Sequence, residues 1–136
     1  MRLTLTVAST IVDQRTRASF SPACVADLVV QLNTREYPVS YEYRSASLCG
    51  KSIPGTARLD GTDVLVDVEV AAAWWTIDEL ERVVTDGIGG GVAGRSLSES
   101  AVGTIHTTEK IRLTELTLLQ LHSSANPRRP ATKAAT

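Results

Sequence analysis

Ser96, Ser98 and Ser100 stand in a short Gly/Ser-rich stretch, with His106 and His122 downstream and Glu115 between the two histidines. In serine hydrolases an imidazole takes the proton from the attacking hydroxyl while a carboxylate orients the ring. These residues supply the three types, with Ser96 and either histidine as the arrangement to test. Spacing alone does not bring them together, and serines in such a stretch ordinarily belong to a surface loop. His122 shares a strand face with Leu116, Leu118 and Gln120, which reads as an edge histidine. Asp67 and Glu69 occupy the polar side of an alternating strand, which gives them a structural reason to be there.

The run from Gly87 to Gly94 is the most unusual segment. It lacks the Lys-Ser/Thr ending of a P-loop. It also follows an expected helix, whereas the dinucleotide fingerprint joins a strand to the helix after it. Glycines here let backbone approach backbone, or leave N–H groups aimed at a developing oxyanion. Cys24 and Cys49 complete the soft ligands, and nothing has the close-paired spacing of a zinc site, so neither metal nor cofactor is expected. Two buried, reduced thiols are favoured over a disulfide.

The elements that must position these groups are legible as patterns. Leu3, Leu5 and Val7 alternate with Arg2, Thr4 and Thr6, giving a first strand. Ser21-Pro22 supplies an N-cap and first-turn proline, and Val25, Leu28, Val29 and Leu32 form one helical stripe that ends near Asn33. Strands follow over 39–43, 57–59 and 64–70, with a hairpin turn at Asp60-Gly61. Thr76-Ile77-Asp78-Glu79 fits a capping box for a second helix, Trp75 stapling against Leu80 and Gly87 ending it. A Ser-rich loop and a long strand over 111–121 complete the body. The expectation is an α+β fold, a mostly antiparallel β-barrel or sheet with two main helices. Residues 1–123 form one domain, and 124–136 a flexible basic tail.

The chain has 136 residues, 43% hydrophobic, with 14 Lys+Arg against 15 Asp+Glu. That length supports one core without metal or disulfide staples. Arg128, Arg129 and Lys133 are the only charges in the last nine residues. Removing those three from the 14 leaves 11 basic against 15 acidic residues in the body, a net of −4. An acidic body argues against specific nucleic-acid recognition, which needs a basic face. No run of about 18 apolar residues is present to span a membrane. The alternating N-terminus reads as a strand and not a signal peptide, so a cytosolic protein is expected.

Several segments in order resemble the capsid-maturation (prohead) proteases of tailed phages, relatives in fold of the herpesvirus assemblins. Glu79-Leu80-Glu81-Arg82-Val83-Val84-Thr85-Asp86-Gly87, followed by Gly91-Val92-Ala93-Gly94, is similar to that family's helix, Asp-Gly turn and Gly-apolar-Ser-apolar-Gly nucleophile segment. Leu113-Thr114-Glu115-Leu116-Thr117-Leu118-Leu119, then Ala125-Asn126-Pro127, resembles its closing Leu-x-Glu-Val-Ser-Leu-Val strand and Pro-Ala-Asn-Pro. Cys49-Gly50-Lys51 and the hairpin 56–70 match its apolar-Gly-Arg/Lys element. The resemblance covers about two-thirds of the chain.

On this alignment the family's catalytic histidine falls on Tyr43, its nucleophile on Ala93 and its third member on Glu115. Alanine offers no nucleophile, and a phenol with a pKa of about 10 is a poor proton acceptor at neutral pH. The resemblance therefore implies a catalytically silent protease fold, a structural part of a phage capsid or its assembly intermediate. It would bind the major capsid protein or other virion proteins as a homo-oligomer, in the host cytoplasm during assembly and in the virion if retained. Two alternatives stand beside it. One is an active protease whose nucleophile is displaced to Ser96, with His106 or His122 as base; the other is an unrelated small interaction domain.

Overall fold

The computed structural model describes residues 1–71, 87–127 and 129–134, the side chains of residues 45–47 and of His122 excepted. Strands dominate: β1 (Arg2–Ser9), β2 (Ala18–Phe20), β3 (Pro38–Tyr41), β4 (Arg44–Ser52), β5 (Arg58–Asp60), β6 (Asp63–Val70), β7 (Ile88–Val102), β8 (Ile105–Gln120) and β9 (Thr132–Lys133). Strand takes up 58% of the chain, so the β-rich expectation holds, while one α-helix, α1 (Pro22–Thr34), is described. The expected second helix, with Trp75, lies in residues 72–86, outside the described residues.

The alternation in β1 sends Leu3, Leu5 and Val7 into the core, each fully buried. On the opposite side Thr4 donates to Asp67 of β6 at 2.7 Å. Helix α1 begins as its sequence dictates: the Ser21 hydroxyl accepts from the Cys24 amide at 3.1 Å and Pro22 fills the first turn. Its buried stripe is Cys24, Val25, Leu28 and Leu32. Gln31 fixes it to β8, donating to the Ile111 carbonyl at 2.8 Å and accepting from the Leu113 amide at 2.9 Å. One side chain thus takes the place of a neighbouring strand along that part of the β8 backbone.

Strand β8 is the spine of the sheet. It runs antiparallel to β7 along its length and parallel to β2 and β3 at its two ends. From β3 the sheet continues through β4, β6, β1 and β9, all antiparallel, and curls into a half-barrel. The segment expected as a Ser-rich loop is strand: Gly89 to Val102 pair down β8, and the reversal comes at Gly103, φ +61°. Fifteen and 16 residues allow the β7–β8 hairpin to outgrow the core, so every β7 residue from Gly94 to Val102 is exposed.

The C-terminal segment is described over residues 124–127 and 129–134. Instead of trailing into solvent, it joins the two ends of the curled sheet. The Ala125 amide donates to Gly90 at 2.9 Å and the Ala131 amide to Ile88 at 2.7 Å, both on β7, and β9 then pairs with β1 at Leu3 and Thr4. Gly89 makes the approach of this segment feasible, and Gly90 the approach of β1 to β7. A Cβ on Gly89 would lie 2.3 Å from the Ser124 Cβ, and one on Gly90 would lie 3.0 Å from the Thr6 carbonyl oxygen.

Charge finishes the docking. Arg129 pairs with Asp60 and, at 3.0 Å, with Asp63, whose side chain is 8% exposed and also accepts from Asn126. A solvated tail was expected because these residues lack apolar bulk; the acids of the β5–β6 hairpin supply what apolar surface does not.

This clasp titrates. Burial by itself would raise the Asp63 pKa, but hydrogen bonds from Ser9, Arg129, Asn126 and Thr62 outweigh it and hold the carboxyl below its ordinary value. A lowered folded-state pKa means that its contribution is complete above the unfolded value of about 3.9 and is lost as pH falls through the folded one. Amide protection at residues 125–127 and 129–134, corrected for the intrinsic rate, is therefore expected to fall below about pH 4, ahead of the β1 and β6 core. In an Asp63→Asn variant that acid step should vanish. An unchanged step would exclude Asp63 as the trigger.

Candidate functional site

Tyr43, Ala93 and Glu115 are far apart in sequence, and the sheet brings them to one place. Ala93 of β7 sits directly across from Glu115 of β8, and Gly91 across from Thr117 one step along the same face. Tyr43 is delivered by the β3–β4 turn. Its amide donates to the Thr117 hydroxyl at 3.0 Å, and its phenol oxygen lies 2.8 Å from where a Cβ on Gly91 would stand. That hydroxyl of Thr117 donates in turn to the Ser40 carbonyl at 3.3 Å.

The turn itself is unusual. Tyr41 pairs with Arg44, leaving two loop residues, Glu42 and Tyr43, at φ +53° and +58°. Two-residue hairpins with both central φ positive normally use Asn and Gly, because a side chain in the left-handed region is strained. Parallel pairing of β3 with β8 and the Glu42 carboxylate, which accepts from the Gln120 amide at 3.1 Å, hold the turn in this form. Tyr43→Gly is expected to change stability by less than about 1 kcal/mol, relief of strain offsetting loss of the half-exposed ring. Tyr43→Val should cost about 1–2 kcal/mol more than the glycine, although it keeps more apolar surface, because a β-branched residue tolerates positive φ least. Urea denaturation of the two variants checks this, and the reverse order would exclude the left-handed turn.

Electrostatics do not make Tyr43 a base. Burial raises its pKa, and the negative charges of Glu115 and Glu42 raise it further, so the phenol stays protonated at neutral pH. The three positions Tyr43, Ala93 and Glu115 thus hold a neutral phenol, a methyl group and a carboxylate. The adjoining cleft, lined by Val7, Ser9, Asp13, Phe20, Tyr43 and Gly91, measures about 160 Å³, below the roughly 300 Å³ at which small-molecule sites begin. A wider groove of about 730 Å³ runs past Ile11, Val12, Asp13, Arg15, Asn126 and Arg129. Its charges are already engaged, Arg15 with Asp13 at 2.8 Å and Arg129 with Asp60 and Asp63.

The displaced serine arrangement does not assemble around His106. Ser96 pairs with Ile111, five residues from His106 along β8, which is roughly 16 Å of strand. Ser98 pairs with Lys110, also several residues away. Ser100 pairs with Thr107, which puts it on the opposite face from His106, and its hydroxyl donates to Glu109 at 2.8 Å. His106 is exposed beside β2, and Glu115 lies nine residues farther along β8. His122 falls in the one-turn 3-10 helix Leu121–Ser123, its side chain outside the described set.

Both cysteines are buried and unbridged, and burial pushes each thiol up to about 11, which leaves them unreactive at neutral pH. Among the described residues no three His, Cys, Asp or Glu side chains converge as a metal site would require. Sequence patterns missed the strained turn under Tyr43 and the Asp63 clasp. The second had a signal, two acids flanking the Asp60-Gly61 hairpin and a C-terminal segment whose charges are all positive. Comparison with protein-family models, with curated proteins and with solved structures finds no match to this chain.

Proposed function

We propose that the chain is a catalytically silent protease-like protein that serves as a structural component of a tailed-phage capsid or its assembly intermediate and binds the major capsid protein. The observation that supports this reading is the meeting of Tyr43, Ala93 and Glu115 on one patch of the sheet. Three positions drawn from separate segments coincide in space, and the two that would have to supply base and nucleophile hold a phenol and a methyl group. Losing either partner of such a pair removes several orders of magnitude of rate. What remains is a β scaffold with a projecting hairpin, suited to holding neighbours in an assembly.

The test is co-expression with the capsid protein of the same phage, with a fluorophosphonate probe applied in parallel. The expected result is cosedimentation with capsids, no cleavage of the capsid protein and no labelled serine. Labelling of Ser96 or any other serine would restore the active-protease reading. Absence of both labelling and cosedimentation would leave the general interaction domain, which the exposed arm equally suits.

A further inference from the structure

The projecting part of β7 is an open edge. Among the described residues β8 is its only strand neighbour, and from Gly94 to Val102 the other edge faces solvent. An exposed edge is a template for another strand unless charge or irregularity blocks it. Leu97 is 45% exposed there and Val102 78%. The residues around Leu97 read Arg95-Ser96-Leu97-Ser98-Glu99, a pattern that becomes its own complement when reversed.

We infer that two copies of the chain pair antiparallel through this edge, on a two-fold axis at Leu97. In that register Arg95 of each copy faces Glu99 of the other, Ser96 faces Ser98, and the two Leu97 side chains meet at the centre. Such an interface is isologous: each half supplies what the other lacks. Within one chain the same charges have no ion-pair partner among the described residues. Arg95 instead lies opposite Arg112 of β8, a like-charge pair that a facing carboxylate relieves.

Leu97 is also the extra residue of a bulge, since Ser96 pairs with Ile111 and Ser98 with Lys110. The β8 ladder therefore leaves its backbone unpaired. The bulge and the register shift after it at Ser98/Glu99 lie inside the paired segment and twist its edge, so the contact is a short one of about five residues, weak between free chains. It gains strength when many copies are held together. The inference concerns the arm alone and does not depend on the functional reading above.

Leu97→Cys tests the register, because Cα atoms directly opposite in an antiparallel pair are about 4.5–5.5 Å apart, within disulfide range. Cys24 and Cys49, each 1% exposed, leave the new thiol as the accessible one. Under mild oxidation Leu97→Cys should form a covalent dimer much faster than Val102→Cys, which is more exposed but off the axis. Equal rates would overturn the pairing. Charge reversal gives a second readout by analytical ultracentrifugation. Arg95→Glu or Glu99→Arg alone creates two like-charge contacts and should weaken dimerisation about tenfold, and the double reversal should restore it. Failure of the double reversal to restore the dimer would exclude the proposed register.

Discussion

Truncation after Ser123 is expected to lower the unfolding free energy by about 3–5 kcal/mol. The removed residues carry no large apolar side chain, and a tail of that composition would ordinarily be dispensable. Three losses coincide here. Asp63, with its side chain 8% exposed, loses the charge-assisted bonds from Arg129 and Asn126, each worth about 1.5–3 kcal/mol when the acceptor is ionised. Ser124 and Ala131 leave sites where they are 1% and 3% exposed. The β7 carbonyls of Ile88 and Gly90 and the edge of β1 at Leu3 and Thr4 lose their partners. The double variant Arg129→Ala/Asn126→Ala keeps the backbone path and removes only the clasp, so it should fall between truncated and intact protein in urea midpoint. A truncated chain with the parent midpoint would mean that the segment does not dock. Truncation also bares an edge strand, so aggregation during refolding should rise with it.

The parts of the fold that could be read in advance are those where one local rule suffices. Ser21-Pro22 and the spacing of Val25, Leu28 and Leu32 specify α1 because capping and periodicity are properties of a dozen neighbouring residues. The Asp60-Gly61 turn is legible for the same reason, and Gly61 has φ +63°. The Gly/Ser segment misled because glycine and serine are depleted in isolated strands, while here β8 runs alongside all 15 residues of β7 and pairs with them through three register shifts. Tyr43 followed the same pattern in reverse. Strand propensity extends Val39 to Tyr43 without a break, yet pairing with β4 and β8 forces the last two residues into a left-handed turn. The site positions themselves came from resemblance and not from any local signal. Their convergence is a property of the sheet order, which no window of neighbouring residues contains.

Gly50→Ala is the second large effect, on the order of 3 kcal/mol and about 10 °C in Tm. A Cβ at that position would stand 2.2 Å from the Glu69 carbonyl oxygen and 3.1 Å from the Val70 Cα, both backbone atoms. The usual escape from overpacking is a shift of the crowded element, and β4 cannot shift in either direction. On one side Gly50 pairs with Val39 of β3, which β8 holds in turn; on the other it pairs with Val70 of β6, which β1 holds. Cys49 before it forms a bulge, its thiol contacting the Val39 carbonyl at 3.5 Å and its own carbonyl accepting from the Ala71 amide at 2.8 Å. Gly94 gives the internal comparison. Its added Cβ would meet the Arg112 carbonyl oxygen at the same 2.2 Å, but on the exposed arm, beside a register shift, with no strand on its other edge among the described residues. Gly94→Ala should therefore cost about 1 kcal/mol or less, despite an identical clash. If the two variants lose stability equally in urea, the difference between a clamped central strand and a free arm is not what sets the cost. A parent-like Gly50→Ala would mean that β4 and β6 do not approach as closely as this packing requires.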